Sequence, residues 1–167
     1  MIRHLTAADF RTMPWANGKG VTIEMAREDR DGAMLWRLSR ASVVEEGDFS
    51  IFPEVERNLT VLTGPGFDLV GQGLHLAARP FAPVAFAGDV PLRAVAVTAP
   101  SDDFNVMTAR HLRRPVVQVL DAPARLVPPQ GGLIAVYAPE AAELTLSDEP
   151  LDWQGPAPAI AVTIARG

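Results

Sequence analysis

Three segments of the chain gather side chains able to hold or transform a small anion. The first is Met13-Pro14-Trp15-Ala16-Asn17-Gly18-Lys19-Gly20. It sets an indole, an amide and an ammonium in a tight turn just ahead of Val21. Backbone N–H groups in such a turn can face an anion. The plainer reading is a turn that needs a positive φ at Gly18 or Gly20. The spacing and following helix of a phosphate-binding P-loop are missing. The second segment, Gly47-Asp48-Phe49-Ser50-Ile51-Phe52-Pro53-Glu54-Val55-Glu56-Arg57-Asn58, joins aromatics, a hydroxyl and an arginine ahead of a strand at Leu59. Arg57, at the mouth of that strand, is placed to project into a barrel, where a guanidinium seeks a carboxylate. The competing reading is a loop packing Phe49 and Phe52, with Arg57 paired to Glu54 or Glu56 at the surface. The third, Ser101-Asp102-Asp103-Phe104-Asn105-Val106-Met107-Thr108-Ala109-Arg110-His111, crowds acids, an amide and an arginine together after a strand end. A turn in which Asp102 or Asp103 caps local N–H groups explains it equally well.

Other chemistries have less to stand on. With no cysteine, disulfides, thiolate metal sites and thiol nucleophiles are excluded. A cupin-type metal site needs two or three histidines and a carboxylate converging on one ion. His4, His75 and His111 are isolated from one another, and no Gly-x-Ser-x-Gly elbow points to a hydrolase. No cofactor and no metal are expected.

The elements that must position these groups read as strands. Val21, Ile23 and Met25 alternate with Thr22, Glu24 and Ala26, the period of a half-buried strand. Met34, Trp36 and Leu38 fall on one face of the next strand, with Arg37 and Ser39 on the other. Further runs follow at Leu59–Thr63, Phe67–Val70, Leu74–Ala77, Leu92–Val97, Val116–Leu120, Leu133–Tyr137, Glu143–Leu146 and Ala159–Ala165. Thirteen glycines and fifteen prolines between them break any long helix. A sandwich or barrel follows. One short helix is expected near Thr6–Met13, capped by Thr6 or Asp9.

The chain also resembles itself. A shift of 67 residues lays Phe86–Val97 on Trp153–Ile164, with Gly88 on Gly155, Pro91 on Pro158, Ala94 on Ala161 and Val95 on Val162. Upstream, Leu59–Gly64 corresponds loosely to Leu133–Ala138. Two barrel halves would produce such a pattern.

Composition limits the partners. A chain of 167 residues, 48% hydrophobic and 21% charged, has the make-up of one ordinary globular domain. Its net charge of −5 repels nucleic acid and acidic membranes. Fourteen of its fifteen basic residues are arginine, a bias that high GC content largely explains. The opening Met1-Ile2-Arg3-His4-Leu5-Thr6 lacks an export signal's basic and apolar regions, and no run is long enough to span a bilayer. A soluble, cytoplasmic protein is expected.

Taken in order, these segments resemble the HutD/Ves family. Pro14-Trp15-Ala16-Asn17-Gly18-Lys19-Gly20-Val21-Thr22 is similar to its Pro-Trp-x-Asn-Gly-Gly-Gly-x-Thr opening strand, and Trp36-Arg37-Leu38-Ser39 to its Trp-Arg-hydrophobic-Ser strand. Gly47–Pro53 with Glu56-Arg57 resembles Gly-Pro-Phe-Ser-x-Phe-Pro-x-x-Asp-Arg. Gly64-Pro65-Gly66-Phe67-Asp68-Leu69, Phe86-Ala87-Gly88-Asp89 and Asp103–Arg110 complete the match. Lys19 stands where glycine is usual, Asp48 where proline is, and Glu56 where aspartate is.

The resemblance implies an all-β double cupin, a bicupin of RmlC-like jelly-roll barrels. One domain over 1–167 would hold a first half at about 1–110 and a second at about 111–167, exchanging strands. It implies no bound metal, and it makes a homodimer through sheet edges a family-level expectation. The implied role is regulatory: binding a small carboxylate intermediate of histidine degradation, N-formylglutamate or urocanate. Trp15, Asn17, Gly18, Ser39, Ser50, Phe52, Arg57 and Asn105 are the candidate ligand-binding residues. The alternative is a metal-free isomerase or epimerase of a small organic acid, its base Asp103 or Glu24 with a strongly raised pKa. Elemental analysis of dialysed protein should find no stoichiometric zinc, iron, manganese or nickel; one such ion retained per chain would contradict this reading of the histidines.

Overall fold

The structure, a computed structural model, describes residues 1–16, 18 and 20–167. It is all-β, with strands numbered β1 to β17 along the chain and divided between two compact units. The first unit joins Met1–Phe10 to His111–Gly167 and the second is Arg11–Arg110. The division falls after Arg110, and the first ten residues group with the stretch that follows it. Among the described residues no helix is long and apolar enough to cross a membrane.

The Arg11–Arg110 unit faces a six-stranded sheet with a four-stranded one. The larger sheet runs β2 (Arg11–Pro14), β3 (Val21–Arg30), β4 (Ala33–Val43), β11 (Ser101–Ala109), β6 (Val55–Thr63) and β9 (Val84–Ala87). The smaller runs β5 (Gly47–Asp48), β10 (Arg93–Val95), β7 (Phe67–Gly71) and β8 (Leu74–Ala78). Val43, Leu59, Val61 and Phe86 from one meet Phe67, Leu69, Ala78 and Ala94 from the other in a single apolar core.

The other unit repeats this plan in shorter form. Its five-stranded sheet is β1 (Ile2–Leu5), β15 (Glu143–Ser147), β14 (Leu133–Ala138), β17 (Ala159–Ile164) and β12 (Val116–Leu120). A hairpin-like pair, β13 (Ala124–Leu126) and β16 (Leu151–Trp153), supplies Leu126 and Leu151 to its core.

The internal repeat survives down to individual residue partners. Ala94 pairs with Leu69, and Ala161 with Val136; Val95 pairs with Asp68, and Val162 with Ala135. Phe86 pairs with Arg57, and Trp153 with Ala124. Each substitution of one set for the other keeps the same 67-residue shift. The match proposed upstream needs correction: β14 corresponds to β7, not to Leu59–Gly64, of which residues 59–63 lie in β6, the counterpart of β13.

Two sequence expectations fail locally. The helix expected over Thr6–Met13 is only a single 3-10 turn, Ala7–Asp9, in which the Asp9 carboxylate accepts a hydrogen bond from the Thr6 N–H at 2.9 Å. From Arg11 the chain is already the edge strand β2, whose partner β3 supplies the hydrogen bonds a helix would have made internally. The acid-rich third segment is no capped turn but β11, the strand between β4 and β6. Sandwiched there, it is buried along nearly its whole length, so it lacks simple alternation.

Arg110 ties the end of β11 to two other elements. Its guanidinium donates to Asp89 at 2.8 and 2.7 Å and to Glu56 at 2.9 Å. These bonds, first to Asp89 and then to Glu56, raise the arginine's pKa, and Asp89 falls to about 2 chiefly through its bond to Arg110. The glutamate replacing the family's aspartate therefore still finds an arginine.

Gly64-Pro65-Gly66 turns the chain from β6 into β7. Gly66 has φ +84°, and a Cβ there would lie 2.1 Å from the Ala78 carbonyl oxygen. Gly73, in the β7–β8 turn, has a similar φ of +76° but open space around it. Alanine at either site should cost about 1–2 kcal/mol for the left-handed backbone. Only Gly66→Ala adds a backbone collision, so its melting temperature should fall well below that of Gly73→Ala. Equal melting temperatures would show that the close approach at Gly66 is not rigid.

Candidate functional site

The strand period decides which residues share a face. On β6, Arg57 is in line with Val55, Leu59 and Val61, all buried. On β11, Asp103, Asn105 and Met107 follow one another at the same period, and Met107 is the cross-strand neighbour of both Arg57 and Arg37. Asn105 sits opposite Ser39 of β4, which in turn sits opposite Glu24 of β3. A row of polar groups is thereby carried on the face of the six-stranded sheet that also supplies Leu59, Val61 and Phe86 to the core.

Arg57 is at the centre. It is 8% exposed, with its guanidinium carbon 5.4, 5.2 and 5.1 Å from the ring centres of Phe49, Phe52 and Phe86. Each such contact is worth roughly 0.5–2 kcal/mol, more as water is excluded. Nη2 donates to Asn105 Oδ1 at 3.1 Å, and Nη1 makes a long 3.4 Å contact to the Ser50 carbonyl. Nε is buried without a hydrogen-bond partner among the described residues. Burial lowers the Arg57 pKa to about 10; Asp103 opposes that shift and Arg37 adds to it. The group is still a cation at neutral pH, with donor capacity unused.

Asn105 passes the contact on. Its Nδ2 donates to Asp103 Oδ1, while its Oδ1 accepts from Arg57. Asp103 is 1% exposed. Burial pushes its pKa up to about 7, against the bond from Asn105 and the charge of Arg57; Asp102 adds to the rise and Arg40 opposes it. Beside this relay Arg37 Nε and Glu24 Oε2 approach to 2.8 Å as an ion pair.

The candidate residues divide accordingly. Arg57, Asn105, Ser39 and Phe52 are brought together on or against this face. Ser50 contributes its carbonyl; its side chain is exposed, so the expected hydroxyl donor is absent from the cluster. Trp15 donates from Nε1 to Thr22 Oγ1 at 2.9 Å. It lines a cavity of about 240 Å³ with Val43, Val44, Glu45, Glu46, Gly47, Asp48, Phe49 and Ala94. That cavity meets the surroundings of Arg57 only at Phe49, and its acidic lining suits no anion, so the guanidinium and not the cavity defines the site. Gly18 is exposed with φ +71°, and its N–H donates to the Trp15 carbonyl at 3.0 Å. It serves the turn, as the plainer reading had it. Asn17 and Lys19 lie outside the described residues.

Arg57 is buried and forms no surface pair with Glu54 or Glu56; Glu56, its neighbour on β6, points to the opposite face and goes to Arg110. Sequence reasoning gave no binding role to Phe86 and Arg37. Their signal lay in the aromatic Phe86, which opens a repeat copy, and in Arg37, a charged residue two positions before Ser39 on the same face of β4. Among the described residues no cluster of three or more histidine, aspartate or glutamate side chains could hold a metal ion.

An uncharacterised 21.2 kDa protein from the region 3′ of hutC in Pseudomonas putida is 36% identical over 125 residues, spanning 73% of this chain and 66% of that one. Protein Ves of Cronobacter sakazakii is 36% identical over 136 residues, 78% of this chain and 75% of its own. The solved structure of HutD from Pseudomonas fluorescens SBW25, in a formate condition, superposes with a TM-score of 0.81 at 27% identity, covering 98% of this chain and 94% of that one. The two β units with repeated pairing fit the double cupin expected of such relatives. The HutD family model matches residues 7–154, so the chain, with its buried arginine on the inner face of a cupin sheet, belongs to the HutD family.

Proposed function

We propose that the protein is a non-catalytic binder of a small carboxylate, acting as a regulator in histidine degradation. The observation that carries this reading is Arg57: a cation almost removed from water, ringed by Phe49, Phe52 and Phe86, with its Nε–H unused. A buried charge with spare donors favours an oppositely charged, planar acceptor. The rings supply the apolar wall that small-molecule sites usually have, and Asn105 holds the guanidinium in place from the side. The HutD family's association with the histidine-utilisation locus, and the P. putida relative's position 3′ of hutC, favour N-formylglutamate or urocanate.

A thermal-shift screen with both compounds, followed by titration, tests the reading. Arg57→Ala should weaken binding by roughly 2–5 kcal/mol, and Arg57→Lys should recover little, because an ammonium cannot copy the two parallel bonds of a guanidinium. Melting temperatures would confirm that both variants fold. Parent-like affinity in both would move the site elsewhere.

A further inference from the structure

Charge balance around Arg57 leads one step beyond the identity of the ligand. The cluster holds two cations, Arg57 and Arg37, and two carboxyls, Glu24 and Asp103. Glu24 is already taken by Arg37 at 2.8 Å. Asp103 is therefore the counter-charge left for Arg57, and Asn105 joins them: one end of its amide accepts from Arg57 and the other donates to Asp103. Asp103 and Asn105 share the face of β11 that looks toward Arg57 across Met107. With both carboxyls ionised the cluster is neutral. A carboxylate arriving at Arg57 would leave two anions competing for one buried cation. Like charges in a site this dry cannot both be kept without a large penalty.

We infer that this site takes up its anion together with a proton, and that Asp103 is the group that receives it. The inference rests on the proposed carboxylate reading and adds a regulation to it. The proton comes from solvent and converts the Asp103 carboxylate to the acid as the ligand carboxylate settles on Arg57, so neutrality is restored. Asn105 can stay bonded to either form through the remaining carbonyl oxygen, so no partner is lost in the exchange. The other ionisable groups bearing on Asp103 are Asp102 on its own strand and Arg40 on β4. Those two are engaged with each other at 2.8 Å, on the opposite face of the strands. Geometry thus isolates Asp103 as the variable member, and its elevated pKa, due mainly to burial, sets the window.

The sign follows from linkage. The bound state holds Asp103 protonated to a higher pH than the free state does. Affinity is then unchanged below the free-state value of about 7 and declines as pH rises through it. N-formyl-L-glutamate is a suitable probe, because carboxyls of its kind stay ionised throughout this range. Titrated against the full-length protein, its Kd should be flat from pH 5.5 to 6.5 and rise about tenfold or more by pH 8.5. Calorimetry in two buffers of different ionisation enthalpy should show close to one proton taken up per ligand at pH 8. Asp103→Asn keeps the acceptor for Asn105 but cannot ionise; it should bind with a flat pH profile and no proton uptake, a pattern that a merely structural role for Asp103 would not give. Arg57-dependent binding of the same strength at pH 6 and 8.5, or binding without proton uptake, would overturn the inference and leave the carboxylate reading standing. No Arg57-dependent binding at any pH would remove both. If Asp103→Asn does not fold, proton uptake by the parent decides alone.

Discussion

A guanidinium kept out of water sets the terms for the sheet around it. Removing such a charge from solvent costs several kcal/mol even after relaxation, and the cost falls only where nearby groups replace the lost hydration. Here the replacements come from separate parts of the chain. Phe49 and Phe52 belong to the segment between β4 and β6, Phe86 to β9, and Asn105 to β11. None of these is near Arg57 unless β6 lies between β11 and β9 in its observed register. The same requirement gives meaning to the Arg110 clip. By gripping Glu56 and Asp89 it fixes the start of β6 and the turn after β9, the two ends between which Arg57 and Phe86 face each other.

Much of this was readable from residues alone, and where it was not the cause is physical. The all-β class followed from alternation and from closely spaced glycine and proline turns, and the family from motifs spread over three-fifths of the chain. Alternation was incomplete as a guide on β4. It put Arg37 and Ser39 on the face opposite Trp36 and Leu38 without telling which face is buried, and Ser39 is as buried as Trp36. A strand buried on both sides carries a charge inside only when it is paired, and the pair of Arg37, Glu24, lies on another strand. The same cause hid β11. Its Ser-Asp-Asp-Phe-Asn opening has the composition of a turn, and only the pairing with β4 and β6 makes it a strand. Arg57 and Asn105 were legible as candidate residues because the motif brought them forward; Phe86 entered only as the aromatic that opens a repeat.

The repeat itself separates what the two cupin halves share from what sets the arginine-bearing half apart. Both units keep the order of paired strands and the aromatic on β9 or β16. The later unit has Ala124 where the earlier has Arg57, and it lacks counterparts of β3, β4 and β11. Its core, built on Leu126, Ile134, Val136 and Leu151, is apolar.

That asymmetry bears on how a regulator of this kind would behave as metabolite levels change. With Arg57 matched by Ala124 in the other half, a chain that binds as proposed would offer a single site of this type, and its occupancy would follow a simple hyperbola. Passing from one-tenth to nine-tenths saturation then takes about an 80-fold change in ligand concentration, since a Hill coefficient above one requires interacting sites. A lone chain would track its metabolite gradually over a wide range, as a buffer or gauge does. Switch-like sharpness would have to be built outside the fold, from association between chains or from the target that the protein controls.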